Sequence, residues 1–136
     1  MTRTELLLDT SGLLSLFDEA DARHQEAAAI FADARRLVTT NYVLAEFVPL
    51  THVRGLNRAK ALNFMRDLVS LPRLQLVWID EEIHQQAMQL LSQRLDKTYS
   101  LCDAVSFVLM RERGINEALT TDKHFIQEGF IRLLEP

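Results

Sequence analysis

Four acidic residues interrupt stretches of the chain that are otherwise apolar, and any fold must find a place for them. Asp9 closes the run Leu6-Leu7-Leu8, and Glu46 breaks Tyr42-Val43-Leu44-Ala45-Glu46-Phe47-Val48. Asp103 breaks the run from Leu101 to Met110, and Asp122 follows Ala118-Leu119-Thr120-Thr121. A carboxylate is expensive to bury unless it is paired, protonated or bound to a cation. Four such acids along one chain point to a shared purpose. The simplest is a site for a hard divalent cation, which prefers carboxylate oxygens and water.

The pattern around the acids gives the fold class. Short apolar runs at Glu5–Asp9, Leu37–Thr40, Leu74–Ile79, Glu117–Thr120 and Phe130–Leu134 read as strands. Between them lie amphipathic segments: Ser11 to Phe17, Gln25 to Ala34, a helix N-capped by Asn41, Arg58 to Val69, one from Asp80 to about Arg94, and an apolar helix that stops at Gly114. Pro49 is expected to bend the Asn41 helix or to close its first half. Strands alternating with helices imply an α/β fold with a central, mainly parallel sheet of four to five strands and helices on both faces. In such sheets function collects at the carboxyl ends of the strands. Asp9 and Asp122 follow strand ends, Glu46 lies early in the helix after the second strand, and Asp103 begins the helix that leads into the fourth. All four can therefore meet at one edge.

With 136 residues, 48% hydrophobic and 25% charged, the chain suits one domain spanning 1–136. A net charge of -4 and a pI near 5.5 argue against a passive nucleic-acid-binding module, but not against a nuclease whose acids bind cations. No apolar run approaches the ~20 residues that span a bilayer, and Leu6-Leu7-Leu8 is too short for a signal peptide. The one cysteine, Cys102, has no internal disulfide partner, so a cytoplasmic setting without membrane association is expected.

Each acid also has a plain structural reading. Asp9 could cap the Ser11 helix, Glu46 could face solvent, Asp103 could serve the helix dipole, and Asp122 could open a turn. Taken singly these compete evenly with function; together they compete poorly. Hydroxyls accompany the acids: Thr10 and Ser11 beside Asp9, Ser100 before Asp103, Thr121 before Asp122. Ser11, Ser100 and Thr121 are the candidates for orienting carboxylates, although helix starts and turns also favour such residues, the better reading for Thr10 and Ser100 taken alone. Cys102 is expected to be inert in its apolar setting. His124 is expected to be a turn residue, and no histidine pair has zinc spacing.

Leu7-Leu8-Asp9-Thr10-Ser11, Thr39-Thr40-Asn41-Tyr42-Val43-Leu44-Ala45-Glu46, Tyr99 through Phe107 around Asp103, and Leu119-Thr120-Thr121-Asp122-Lys123-His124-Phe125 occur in that order. This series resembles the PIN-domain ribonucleases, and within them the VapC-type toxins of bacterial toxin–antitoxin pairs. The resemblance implies a PIN-like fold and an endoribonuclease dependent on Mg²⁺ or Mn²⁺. It also implies a homodimer and inhibition by a small antitoxin protein. By match of motif, Asp9, Glu46 and Asp103 are the core metal ligands and Asp122 a weaker fourth. Asp96 is left out, because its context fits an exposed loop.

An RNA substrate requires cations. Arg94, Lys97 and Lys123, with Arg111 and Arg113, flank the third and fourth acidic motifs and are candidates; Arg54, Arg58, Lys60 and Arg66 read better as a solvated helix face. Apolar residues of the Ala27–Phe31 and Arg58–Val69 helices could line a groove for a partner, and core packing explains them equally well. Two alternatives remain open. One is a PIN nuclease of RNA processing that has no antitoxin. The other is a receiver-like signalling domain phosphorylated on Asp80.

Overall fold

The computed structural model describes residues 5–136; the first four residues of the expected 1–136 domain lie outside them. The described residues form five strands and seven helices: β1 (Glu5–Leu8), α1 (Thr10–Phe17), α2 (His24–Asp33), β2 (Arg36–Thr40), α3 (Asn41–Val53), α4 (Arg58–Val69), β3 (Leu74–Val77), α5 (Glu81–Gln93), α6 (Leu101–Arg113), β4 (Glu117–Leu119), α7 (Lys123–Gln127) and β5 (Ile131–Arg132). The sheet order is β3-β2-β1-β4-β5, and every pairing is parallel.

Alternation along the central strands splits the core in two. Leu6, Leu8, Leu37 and Leu119 point to one face, where Leu13, Ala27, Ile30, Val43, Phe47, Ala61 and Leu68 of α1–α4 cover them. Leu7, Val38 and Ala118 point to the other, under Ala87, Leu90, Ala104, Val105, Phe107 and Phe125 of α5–α7. A central strand buried on both sides must be apolar throughout, which explains the uninterrupted Leu6-Leu7-Leu8. The residues suggested for a partner groove, Ala27, Ile30, Ala61 and Leu68, belong to this core. No helix of the described residues is long and apolar enough to cross a membrane.

The chain builds outward from β1 to β3, then returns across the sheet through α5 and α6 to place β4 on the other side of β1. The direction of winding therefore reverses between β1 and β4, and the crevice beyond their carboxyl ends is where an open α/β sheet places its ligands. The order also differs from the 2-1-3-4-5 of flavodoxin-like receivers. At the reversal α1 lies directly on β4. A side chain at Gly12 would collide with the Leu119 carbonyl oxygen, so only glycine permits the approach.

Several local expectations need correction. Thr40, not Asn41, caps α3: its Oγ1 accepts from the Val43 N–H at 3.1 Å. The Asn41 Oδ1 instead accepts from Ile79 N at 2.8 Å, which draws the chain out of the sheet and ends β3 at Val77. Pro49 does not close α3, which continues to Val53. The carbonyl it deprives of a donor belongs to Ala45, and both residues are exposed, so the loss falls on the solvent side of the helix. The last two strands are shorter than expected, at Glu117–Leu119 and Ile131–Arg132.

Candidate active site

Asp9 occupies the N-cap position of α1 but makes no capping hydrogen bond with its side chain. Its carboxylate is 4% exposed and turns toward β4, where Thr120 Oγ1 donates to Oδ2 at 2.7 Å. Ser11 Oγ donates to the same oxygen at 3.4 Å and lies 3.1 Å from Thr120 Oγ1. Backbone groups complete the lattice: Thr121 N donates to Ser11 Oγ and Asp122 N to Thr120 Oγ1, both at 3.0 Å. Burial dominates the electrostatics of Asp9. It pushes the carboxyl up to about 7, against the lowering bond from Thr120 and with added repulsion from Asp103 and Asp122.

Asp103 performs two tasks. It is the third residue of α6, in a capping box with Ser100: Asp103 N donates to Ser100 Oγ, and Ser100 N donates to Asp103 Oδ2, each at 3.0 Å. The same Oδ2 lies 3.0 Å from His124 Nδ1. Desolvation raises the Asp103 carboxyl above its ordinary range, more than its bonds to Ser100 and His124 lower it. Asp122 likewise caps α7, accepting from His124 N at 2.9 Å, and its Oδ1 is 3.2 Å from His124 Nδ1. Asp103, Asp122 and His124 offer ligand atoms within 4.8 Å of one another.

Glu46 stands apart. It is exposed on α3 and is tied to the site by Thr10 Oγ1, which donates to Glu46 Oε1 at 2.9 Å. Cys102 packs between the acids, and its thiol is driven up first by burial and then by Glu46, Asp9 and Asp103. It is therefore a buried thiol, not a nucleophile.

The structure thus gathers Asp9, Asp103 and Asp122 at the winding reversal, with Glu46 at the rim. Among the hydroxyl candidates, Ser11 bonds the Asp9 carboxylate, Ser100 anchors Asp103, and Thr121 contributes its backbone N–H. Thr120 escaped sequence reasoning, and Thr10 and His124 were given plain structural readings. Thr10 and Thr120 bond the acids directly. His124, read as a turn residue, has Nδ1 between two carboxylates, Nε2 at 3.1 Å from Thr98 Oγ1, and its ring edge-on to Tyr99. The only sequence signal was their adjacency to the acids.

The basic candidates divide. Arg94 Nε donates to the buried Glu128 at 2.7 Å and Arg111 Nη2 to its other oxygen at 2.5 Å, so both guanidinium groups are engaged away from the acids. Arg113 donates to Gln75, and Lys97 pairs with Asp96 at 3.2 Å. Lys123 is exposed next to Asp122. Asp80, the acceptor that a receiver would require, is exposed and spent on capping α5 through Ile83 N at 2.9 Å.

The family model described as PIN domain matches residues 6–130. The chain belongs to the PIN-domain family. Two curated PIN-domain relatives, from two strains of Mycobacterium tuberculosis and both described as the 23S rRNA-specific endonuclease VapC20, are 33% identical over 129 residues, spanning 94% of this chain and 97% of theirs. The crystal structure of Mycobacterium tuberculosis VapC20, described as a sarcin–ricin loop cleaving toxin, matches with a TM-score of 0.85 at 30% identity, over 96% of this chain and 99% of that one. The motifs that suggested a PIN domain are the ones that build the acid site, and the family replaces the receiver alternative.

Proposed function

We propose that the protein is a divalent-cation-dependent endoribonuclease and the toxin of a toxin–antitoxin pair, with residues 1–136 acting as one domain. The observation that carries the nuclease reading is Asp9. It stands where a helix cap would, caps nothing, and is buried beside two further acids with its carboxyl pushed up to about 7. A fold gains nothing from that arrangement unless a cation joins it. The donor set suits Mg²⁺ or Mn²⁺: Asp103, Asp122 and the His124 imidazole, which Mn²⁺ accepts more readily than Mg²⁺ does, offer converging ligand atoms, with Asp9 beside them and Glu46 at the rim. Bound there, a divalent cation supplies Lewis-acid activation of water and neutralises charge on a phosphodiester during in-line displacement.

The chain's own groups set the stage for that chemistry. Thr120 and Ser11 fix the orientation of Asp9, Ser100 N and His124 fix Asp103, and Thr10 holds Glu46 toward the cluster. Lys123 is free to meet a phosphate beside Asp122; of the other RNA-contact candidates, Lys97 is paired with Asp96 and Arg94 is spent on Glu128. Likeness to VapC20, described as a toxin, supports the toxin reading; a small inhibitory antitoxin, a homodimer and a cytoplasmic setting are part of the same proposal, as the resemblance to VapC-type toxins implies.

Cleavage of structured and single-stranded RNA by the wild type and by Asp103→Asn, with Mg²⁺, Mn²⁺ or EDTA, tests the nuclease. Metal-independent cleavage, or full activity in the variant, sinks it. The toxin label requires growth arrest on expression and relief by the product of a small neighbouring reading frame. Dimerisation is read by light scattering in solution.

A further inference from the structure

At the edge of the sheet opposite the acids, the starts of β1, β2 and β3 and the end of α6 enclose a recess of about 520 Å³. Among the described residues four arginines line it, Arg35, Arg36, Arg73 and Arg113, against a single carboxylate, Glu5. In a chain of net charge -4, this concentration of guanidinium is against the overall balance. Two of the four are fixed by neutral partners. Arg73 Nη1 donates to the carbonyls of Phe31 at 2.8 Å and Ala34 at 2.5 Å, with its guanidinium 4.8 Å from the Phe31 ring centre; Arg113 Nη1 donates to Gln75 Oε1 at 2.7 Å. Such bonds position a guanidinium and leave its charge in place. Arg94 and Arg111, by contrast, have theirs answered by Glu128. Arg35 and Arg36 are exposed.

We propose that this arginine recess is a second RNA-binding surface, which grips the phosphodiester backbone of a folded RNA at a distance from the cleavage site. The proposal rests on the ribonuclease reading. Guanidinium groups match phosphate oxygens two at a time, and several converging on one recess fit a backbone that presents phosphates in series. The separation selects the kind of RNA. Arg36 and Thr40 begin and end β2, so the two edges lie on the order of 13 Å apart through the sheet, and farther over the surface. A few nucleotides spanning the acids do not reach the recess. A folded RNA that offers a second backbone segment does, so the recess favours large structured substrates over short single strands.

The test uses the full chain with Arg35→Ala and Arg36→Ala combined, and a conservative Arg35→Lys, Arg36→Lys pair as a control for folding. Two probes are compared: a stem-loop transcript containing the sarcin–ricin loop, and an oligonucleotide of a few nucleotides carrying only its cleavable segment. Binding is measured by fluorescence anisotropy in EDTA over a range of salt, and cleavage separately with Mn²⁺. The alanine pair should bind the stem-loop ~10-fold more weakly, with a salt dependence shallower by roughly 1 to 2 units of slope, while the lysine pair, which keeps the charge and loses the paired bonds, keeps the wild-type salt slope and falls between the two in affinity. Cleavage of the short oligonucleotide should be unchanged. Equal loss on both probes, or no loss on the stem-loop, overturns the proposal. Displacement of the stem-loop by polyglutamate at lower concentration than by unlabelled RNA also overturns it, in favour of an acidic protein partner. If the wild type cleaves neither RNA, the nuclease reading fails, and the binding measurements still decide the recess.

Discussion

Two sets of buried carboxylates in this molecule are treated in opposite ways. Glu128, its side chain 3% exposed, is met by Arg94 at 2.7 Å, Arg111 at 2.5 Å and the Tyr99 hydroxyl at 3.1 Å. Although burial works against it, these partners hold its carboxyl below the ordinary range. In answer, the Tyr99 hydroxyl is pushed up to about 12, chiefly by burial and then by its bond to Glu128. Over the whole residue Asp9 and Asp103 are at least as buried as Glu128, yet hydroxyls, backbone N–H groups and one imidazole are what they receive, and their carboxyls rise. Where an acid is meant to hold the fold together, the chain supplies the positive charge itself. At the proposed active site the chain supplies no such charge, which is the place our proposal gives to a cation.

The contrast breaks most visibly in activity. Asp103→Asn should cut RNA cleavage by about 100-fold or more, since loss of a ligand removes several kcal/mol of charge stabilisation; Glu128→Gln, assayed well below its melting temperature, should leave cleavage within about threefold. Stability should run the other way. Asp9→Asn should raise the melting temperature of the metal-free protein at pH 8 by roughly 3 °C or more, because it removes a buried charge and keeps an acceptor for Thr120. Glu128→Gln should destabilise by about 1–3 kcal/mol, a figure tempered by the part-exposed arginines. Mn²⁺ should raise the melting temperature of the wild type and of Glu128→Gln, and fail to do so for Asp9→Asn. If calorimetry finds both substitutions destabilising, the two clusters are not opposites.

The acid limb of stability sharpens the comparison further. The folded Glu128 carboxyl titrates below its ordinary 4.5. Its contribution is therefore complete above that pH and is lost as pH falls through the lower, folded value. Urea melts from pH 6 to 3 should show a shallower decline in Glu128→Gln than in the wild type. Thr10→Val, which frees Glu46, acts on activity alone: cleavage should fall by about 10-fold at fixed metal, with little change in melting temperature.

The acids were legible because each breaks an apolar run, and the fold class because the runs alternate with amphipathic helices. What holds the acids was legible only in part: Ser11 and Ser100 stood out beside them, and the distant partners did not. Thr120 and Asp9 are 111 positions apart, Thr10 and Glu46 are 36 apart, and His124 and Asp103 are 21 apart. No local pattern links such pairs; the sheet order creates them. The tie between Arg94 and Glu128 was hidden for the same reason, since the two are 34 residues apart. Asn41 was misplaced by one position, because Thr40 before it caps equally well and the amide had another use 38 residues on.

Gly12 carries a consequence that no acid reveals. The hydrogen it presents to the Leu119 carbonyl acts as a gauge block between the segment that begins at Asp9 and the strand that leads to Asp122. Add one methyl group, and the two halves of the cluster are wedged apart with every carboxylate still present.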